Sequence, residues 1–295
     1  MNGYAGLRED AAWIDLSARG KIRITGEDRA RLLHALATND IQNLQPGQTI
    51  YTFFLNEKGR VIADALVHNL GDALWLDTEA DLRAKLMEHL DRYIIADDVT
   101  LEDETEAFAA IGIEGPRLLE LAPREGFILF ASVTGEPGIR AFMPSGRKDE
   151  YIARLTQASI PEASGEEVNI VRLEKGTPRY GSDISDRFLV QETQLLHAVH
   201  PDKGCYLGQE IVERVRSQGQ VHRLLLPLRI VGNEAPASGT KILSNEKEAG
   251  EITSAAYSPA FGQIVALGYL RREVVESGSA LCLAGTAAGV SVGVL

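Results

Sequence analysis

The sequence predicts an α+β fold that ends in a small antiparallel β-barrel or sandwich. Three observations carry this expectation. Segments with a helical apolar period are interleaved with strand-like hairpins through most of the chain. Beyond about Leu224 the pattern becomes short β-like runs divided by glycine and serine. The 295 residues also exceed what one simple core accommodates, so two or three domains are expected. The boundary falls at 223/224, with residues 1–223 forming the mixed region and 224–295 the barrel domain.

The elements follow in chain order. "TGEDRARLLHALATND" starts at Thr25, has Asp28 three residues on and continues with apolar Leu32, Leu33 and Leu36, an N-cap followed by one apolar helical face. "TIYTFFL" and "RVIADALVHNL" flank "NEKG", which reads as a hairpin with a turn glycine. "ALWLD" adds a third strand. "EADLRAKLMEHLDRYI" returns to helical spacing, with Leu82, Leu86, Leu90 and Tyr93 on one side. "EGPRLLELA" sets Pro116 at a first helical position. Ser164 with Glu167 forms a capping box for a helix from about Glu166 to Lys175, closed by Gly176 and Pro178. "LLLPLRIVG", "TKILSN", "EAGEITSAAYS", "QIVALGYL" and "ALCLAG" are the strands of the tail.

Composition excludes several classes of function. The net charge of −12 argues against a generic polyanion binder, so no direct nucleic-acid binding is expected. "MNGYAGLRED" lacks the apolar stretch of a secretory signal, and no apolar run reaches membrane-spanning length. Cys205 and Cys282 are the two cysteines; they make no disulfide framework, and their separation does not suggest a zinc site. The expectation is a cytoplasmic protein with two free thiols and no metal.

Three residues draw attention on chemical grounds. Cys205 lies in "KGCYLGQE", where Gly208 opens a helix through Glu210, Ile211, Val212 and Val215 that ends near Gly219. A cysteine just before a helix N-terminus, with Lys203 close by, is placed to favour its thiolate. The plain alternative is a pair of turn glycines around a half-buried small side chain. Glu174 sits in the last turn of its helix, where the dipole disfavours a carboxylate by roughly 0.3–1 kcal/mol. Such a glutamate suits a ligand edge with two adjacent donors; alternatively, Arg172 or Lys175 screens it. Asp64 lies in the apolar strand "VIADALV". Alternation points it outward as an ordinary solvent-facing carboxylate, whereas burial would require a partner. His197 and His200 in "HAVH" have a spacing that would let them share a metal on a helix, but no further ligand lies close by in sequence.

"KGCYLGQE" resembles the signature of the YgfZ-type folate-binding proteins, relatives of the glycine cleavage T-protein, an aminomethyltransferase. "TND" (Thr38 to Asp40), "LNEKGRVIAD" (Leu55 to Asp64), "RYIIADDV" (Arg92 to Val99), "IEGP" (Ile113 to Pro116), "TGEPG" (Thr134 to Gly138) and "RLEKGTPRYGSD" (Arg172 to Asp183) resemble T-protein segments in the shared order. The resemblance covers nearly the whole chain. It implies a three-domain cloverleaf around a central channel that holds tetrahydrofolate or a one-carbon derivative.

In T-proteins the glutamate of the "RLE-x-G" segment contacts the pterin, which implies that role for Glu174, with Tyr180 and Arg223 as further pocket residues. An acidic residue after the hairpin turn assists one-carbon transfer there, in a segment that commonly ends in two aspartates. Here Ala63 stands in place of one and Asp64 remains. A following Val-Asn-Ala, where a folate contact lies, reads Leu76-Asp77-Thr78 here. T-proteins generally lack the signature cysteine and are longer. The resemblance therefore points to the YgfZ-type branch: a tetrahydrofolate-binding accessory protein for iron–sulfur enzymes or their assembly, affecting tRNA-modifying enzymes, with Cys205 as the reactive thiol assisted by Lys203. Two cysteines cannot hold a four-cysteine cluster, so partners would supply the other ligands. The alternative is a folate-dependent aminomethyl- or other one-carbon transferase with Asp64 as the catalytic carboxylate. A third reading is a folate-binding module without thiol chemistry.

Overall fold

The computed structural model describes residues 2–117, 123–219, 221–286 and 288–293. Helix α1 (Gly3–Glu9) is capped by the Asn2 side chain, which accepts from the Ala5 amide at 2.9 Å. Strands β1 (Ala12–Asp15) and β2 (Gly20–Thr25), helix α2 (Arg29–Leu36), strands β3 (Thr49–Leu55), β4 (Val61–Asn69) and β5 (Leu74–Thr78), helix α3 (Arg83–Asp91) and strand β6 (Thr100–Asp103) follow. Strands β7 (Phe108–Glu114), β8 (Phe127–Phe130) and β9 (Gly138–Pro144) lead to helices α4 (Lys148–Gln157), α5 (Gly165–Glu174) and α6 (Gln209–Gln218). The tail contains β10 (Arg223–Ile230), β11 (Lys241–Ser244), β12 (Lys247–Ser258), β13 (Gln263–Arg271), α7 (Arg272–Ser277), β14 (Leu281–Leu283) and β15 (Gly289–Val292).

These elements make an α+β fold around three antiparallel sheets. The first is five-stranded, in the order β3-β4-β5-β2-β6; the second is four-stranded, in the order β1-β7-β9-β8. The third closes as a six-stranded barrel, β10-β13-β12-β11-β14-β15, which resolves the choice between barrel and sandwich. Each sheet has its own apolar core. Leu33, Leu82, Leu86 and Leu90 pack with Phe53, Phe54 and Leu76 against the first sheet. Ile111, Ile139, Tyr151 and Leu155 fill the second, and Leu228, Ile252 and Ala266 the barrel. Each fully buried aliphatic side chain contributes about 1.5–3 kcal/mol.

The local signals mostly hold. The "NEKG" turn joins β3 and β4 in a register that sets Phe53 opposite Asp64. The capping box is present: the Ser164 hydroxyl accepts from the Glu167 amide at 3.3 Å, and the Glu167 carboxylate accepts from the Ser164 amide at 2.8 Å. One cap differs. Asp28, not Thr25, precedes α2, and its Oδ2 accepts from the Asp98 amide at 2.9 Å rather than from its own helix. The helix expected after Pro116 lies outside the described residues.

Gly208 explains part of "KGCYLGQE". It adopts φ +81° just before α6 and packs on the β3–β4 turn, where an added Cβ would fall 2.6 Å from the Asn56 carbonyl oxygen. That close approach, rather than a ligand, requires glycine there.

Two links join the sheets. Trp75 on β5 meets Phe108, Phe127 and Phe142 of the second sheet edge to face, at centroid distances of 5.1, 5.2 and 5.4 Å. Asp77, also on β5, forms an ion pair with Arg140 of β9, and both are buried. Helix α5 connects these lobes to the barrel: Arg172 pairs with Asp183 at 2.7 Å, and the other Asp183 oxygen accepts from Thr253 and Ser254 of β12 at 2.5 and 2.7 Å. No helix among the described residues is long and apolar enough to cross a membrane.

Candidate functional site

A cavity of about 700 Å³ opens between the first two sheets and α5. Its volume is within the range of small-molecule sites, roughly 300–1,000 Å³. Asp64 and Asp77 line it from β4 and β5, Phe130 and Arg140 from the second sheet, and Asn169 and Arg172 from α5.

Asp64 is the chemical centre of this cavity. Sequence alternation set it outward, towards solvent; instead it is buried and faces the cavity, because helices and the second sheet cover both faces of β4. Its Oδ2 accepts from the Tyr51 hydroxyl at 2.7 Å, while its Oδ1 is buried with no hydrogen-bond partner among the described residues. Burial raises its pKa to about 6, although the Tyr51 hydrogen bond and the Arg19 charge pull the other way. Burial and then the Asp64 carboxylate push the Tyr51 phenol well above its ordinary value. Tyr51 thus stays protonated as a fixed donor, and Asp64 changes charge near neutral pH. The imidazole of His197 lies tilted beside Tyr51 at 5.7 Å.

A chain of charges runs along the wall. Arg140 and Arg19 both hold Asp77, Arg19 at 2.7 Å. Arg19 also pairs with Glu79, which Arg179 grips through two nitrogens at 2.8 and 3.1 Å. Burial alone would raise the Glu79 pKa, but the two arginines outweigh it and hold the carboxylate below its ordinary range. This wall is therefore ionised and internally paired, whereas Asp64 has a phenol rather than a cation as its hydrogen-bond donor.

The other expected site residues separate from this centre. Tyr180 lines the cavity, but its hydroxyl donates to the Val61 and Ile62 carbonyls at 3.1 and 2.8 Å, which leaves only its ring for a ligand. Glu174 is buried outside the cavity lining. Its Oε1 accepts from the Tyr4 hydroxyl at 2.7 Å and the Ser258 hydroxyl at 2.6 Å, and Arg8 pairs with Oε2 at 3.2 Å. Protein donors thus take the place expected for ligand donors, and the residue joins α1, α5 and the barrel. Arg223 also lies outside the lining: it pairs with Glu192 at 2.8 Å and its guanidinium lies over the Phe188 ring at 4.8 Å.

Lys203 does not serve its neighbouring thiol. Its ammonium is buried and donates to the carbonyls of His34, Ala37 (2.5 Å) and Asn39 (3.0 Å), which closes the C-terminal end of α2. Burial lowers its pKa to about 8. Cys205 is exposed and stands outside the cavity lining; Cys282 is half-buried in β14. The structure therefore brings Asp64 and Tyr180 to one cavity and does not bring Cys205, Lys203, Glu174 or Arg223 there.

Sequence reasoning did not single out Tyr51, Arg19 or Arg140. For Tyr51 a signal existed: two residues before Phe53, the partner of Asp64, it lies diagonal to Asp64 on the same face of the hairpin. Arg140 carried no local signal, because its partner Asp77 is 63 residues away.

Known proteins resemble this chain along most of its length. Residues 3–124 match the GCVT N-terminal domain, and residues 223–287 match the glycine cleavage T-protein C-terminal barrel domain. An aminomethyltransferase of Nostoc sp. is 28% identical across 94% of this chain and 81% of its own length. One of Koribacter versatilis is 28% identical across 92% and 79%. The crystal structure of glycine cleavage system aminomethyltransferase T from Bartonella henselae superposes with a TM-score of 0.89 over 98% of this chain and 87% of its own, at 21% identity, and so shares the fold. These findings overturn the expected accessory role in iron–sulfur assembly: relatives of several organisms are named aminomethyltransferases and the fold is that of a glycine cleavage T-protein, which favours the transferase alternative over the YgfZ-type role.

Proposed function

We propose that this chain, which belongs to the glycine cleavage T-protein superfamily, is a folate-dependent one-carbon transferase of the aminomethyltransferase type. The observation that carries this reading is Asp64, buried at a cavity of ligand size with one oxygen held by Tyr51, the other free, and a pKa of about 6. A carboxyl poised near neutrality can take up and return a proton during group transfer. Tyr51 fixes its orientation, and burial keeps bulk water from it.

The missing aspartate of the hairpin does not weaken this reading. Ala63 is fully buried in the apolar core of the first sheet, opposite Phe54, whereas Asp64 faces the cavity. The carboxylate that remains is the one with access to a ligand.

Tetrahydrofolate fits the site by size and chemistry. The cavity is lined by Tyr51, Tyr180 and Phe130, aromatic residues that suit a flat heterocycle. The folate would supply the nitrogens that accept the one-carbon unit. Asp64 manages the proton, and the paired arginines and carboxylates hold the wall in shape. The two free cysteines suit a reducing compartment such as the cytoplasm.

The test is transfer from an aminomethyl-lipoyl donor to tetrahydrofolate. The wild type should produce methylene-tetrahydrofolate, and Asp64→Asn should do so roughly a hundredfold or more slowly. A wild-type protein that binds tetrahydrofolate but shows no turnover would remove the transferase reading.

A further inference from the structure

Two stretches of the sequence, "IEGP" and "TGEPG", meet at one carboxylate. Glu114 ends β7 and is 1% exposed. Its Oε1 accepts from the Val133 amide at 2.7 Å. Its Oε2 accepts from the Thr134 amide at 3.0 Å, the Thr134 hydroxyl at 2.5 Å and the Ser132 hydroxyl at 2.7 Å. Burial pushes its pKa up, and these hydrogen bonds pull it back. All four donors lie in the connection between β8 and β9, where Ser132 and Val133 line the cavity. The same connection reaches the end of α5. The Thr134 carbonyl accepts from the Thr177 hydroxyl at 3.2 Å, and Thr177 lines the cavity as well. Gly135 has φ +89°, and a Cβ there would fall 2.4 Å from the Thr177 hydroxyl oxygen. Glu136 then pairs with Arg8 and Lys175, each at 2.9 Å.

We infer that Glu114 is a positioning residue: it gathers the Ser132–Thr134 segment and fixes that wall of the cavity before a ligand enters. Glu114 itself stands outside the cavity lining and acts through the residues it holds. The arrangement requires a carboxylate, and not merely a polar side chain of that size. Each of its two oxygens receives a backbone N–H, and a backbone amide cannot turn round to accept. A glutamine there would offer one oxygen and one NH2 group, so either the Val133 or the Thr134 amide would face a donor. A wall held in advance asks no ordering of the ligand's binding energy, whereas a loosened wall must be ordered again at each binding event.

The test compares the wild type with Glu114→Gln, which keeps the shape of the side chain and removes one acceptor. Amide hydrogen exchange reads the wall directly. Val133 and Thr134 should exchange about tenfold faster or more in the variant, while the β9 amides keep their protection and show that the sheet is intact. Tetrahydrofolate affinity, measured by calorimetry, should fall about tenfold or more, as expected when one or two backbone residues must be ordered on binding. Thr134→Val removes one hydroxyl donor and keeps both backbone amides; it should move both readouts the same way by less, and it replaces Glu114→Gln if that variant does not fold. Unchanged exchange at Val133 and Thr134 in a folded Glu114→Gln would overturn the inference. Faster exchange with unchanged tetrahydrofolate affinity would also overturn it, leaving Glu114 a structural residue only. The affinity measurement rests on the folate reading and the exchange measurement does not. If the wild type binds no tetrahydrofolate, the folate reading fails and exchange alone decides whether Glu114 holds the wall.

Discussion

Tyr51 on β3 donates its hydroxyl to Asp64 on β4 at 2.7 Å, and this bond holds the carboxyl of the cavity in one orientation. The two residues are diagonal neighbours on one face of a hairpin, so the strand register that builds the core also builds the site. Because the donor is a phenol and not a cation, burial dominates and the Asp64 proton is held more tightly than in an ordinary aspartate.

A stability signature follows. The folded-state pKa of Asp64 is raised from 3.8 to about 6. The folded state therefore binds the proton more tightly than the unfolded state, and stability is lost as pH rises between those values. At 1.4 kcal/mol per pH unit, the penalty above pH 6 is at most about 3 kcal/mol. Asp64→Asn should relieve it: urea unfolding should show the variant more stable than wild type at pH 7.5 and the difference closing near pH 4. A variant that is equally stable at both pH values would mean that Asp64 is not held as described.

The Asp77–Arg140 pair should matter more for the fold than any surface pair. Asp77→Ala would leave Arg140 buried with its partner removed and Arg19 with one contact fewer. Breaking a buried pair from one side typically costs about 3–5 kcal/mol. Urea unfolding should show a loss of that order, with the same variant weakening the seam between the first two sheets.

Glu174 tests whether its protein partners or the expected pterin contact set its role. Glu174→Ala would leave the Tyr4 and Ser258 hydroxyls without their acceptor and Arg8 with Glu136 alone. Stability should fall by roughly 1–3 kcal/mol. Tetrahydrofolate affinity, measured at a temperature where the variant is folded, should change by less than about tenfold, or 1.4 kcal/mol. A larger loss of affinity without loss of stability would return Glu174 to the ligand.

The local features of the fold were legible in the sequence, and the site was legible only in part. The "NEKG" hairpin, the Ser164–Glu167 box, the glycine before α6 and the β-rich tail rest on residues close in sequence, where spacing and turn chemistry suffice. The roles of Glu174, Lys203 and Arg223 depend on partners such as Tyr4, His34 and Glu192, which are 170, 169 and 31 residues away. Glu174 and Arg223 look free for a ligand in the sequence, and Lys203 free for the neighbouring thiol, because those partners are distant in the chain. Asp64 was misread for a related reason: alternation assumes one solvent face, and β4 has none.

Lys203 gives a further check on that point. Its ammonium satisfies three backbone carbonyls around the end of α2. Lys203→Met should cost roughly 1–3 kcal/mol of stability through those orphaned acceptors. The rate at which iodoacetamide modifies exposed Cys205 should stay the same, because the lysine is directed to carbonyls and not to the sulfur. A slower Cys205 in a folded variant would restore Lys203 as its activator.

In the proposed transferase, Asp64 performs the proton chemistry and the rest of the cavity supplies most of the folate affinity. The direct measurement pairs methylene transfer from an aminomethyl-lipoyl donor with calorimetric tetrahydrofolate affinity, in wild type and Asp64→Asn. Turnover is expected in the wild type, with a loss of roughly a hundredfold or more in the variant, as for removal of a general acid–base, and folate affinities that stay close. Turnover in Asp64→Asn equal to that of the wild type would contradict it.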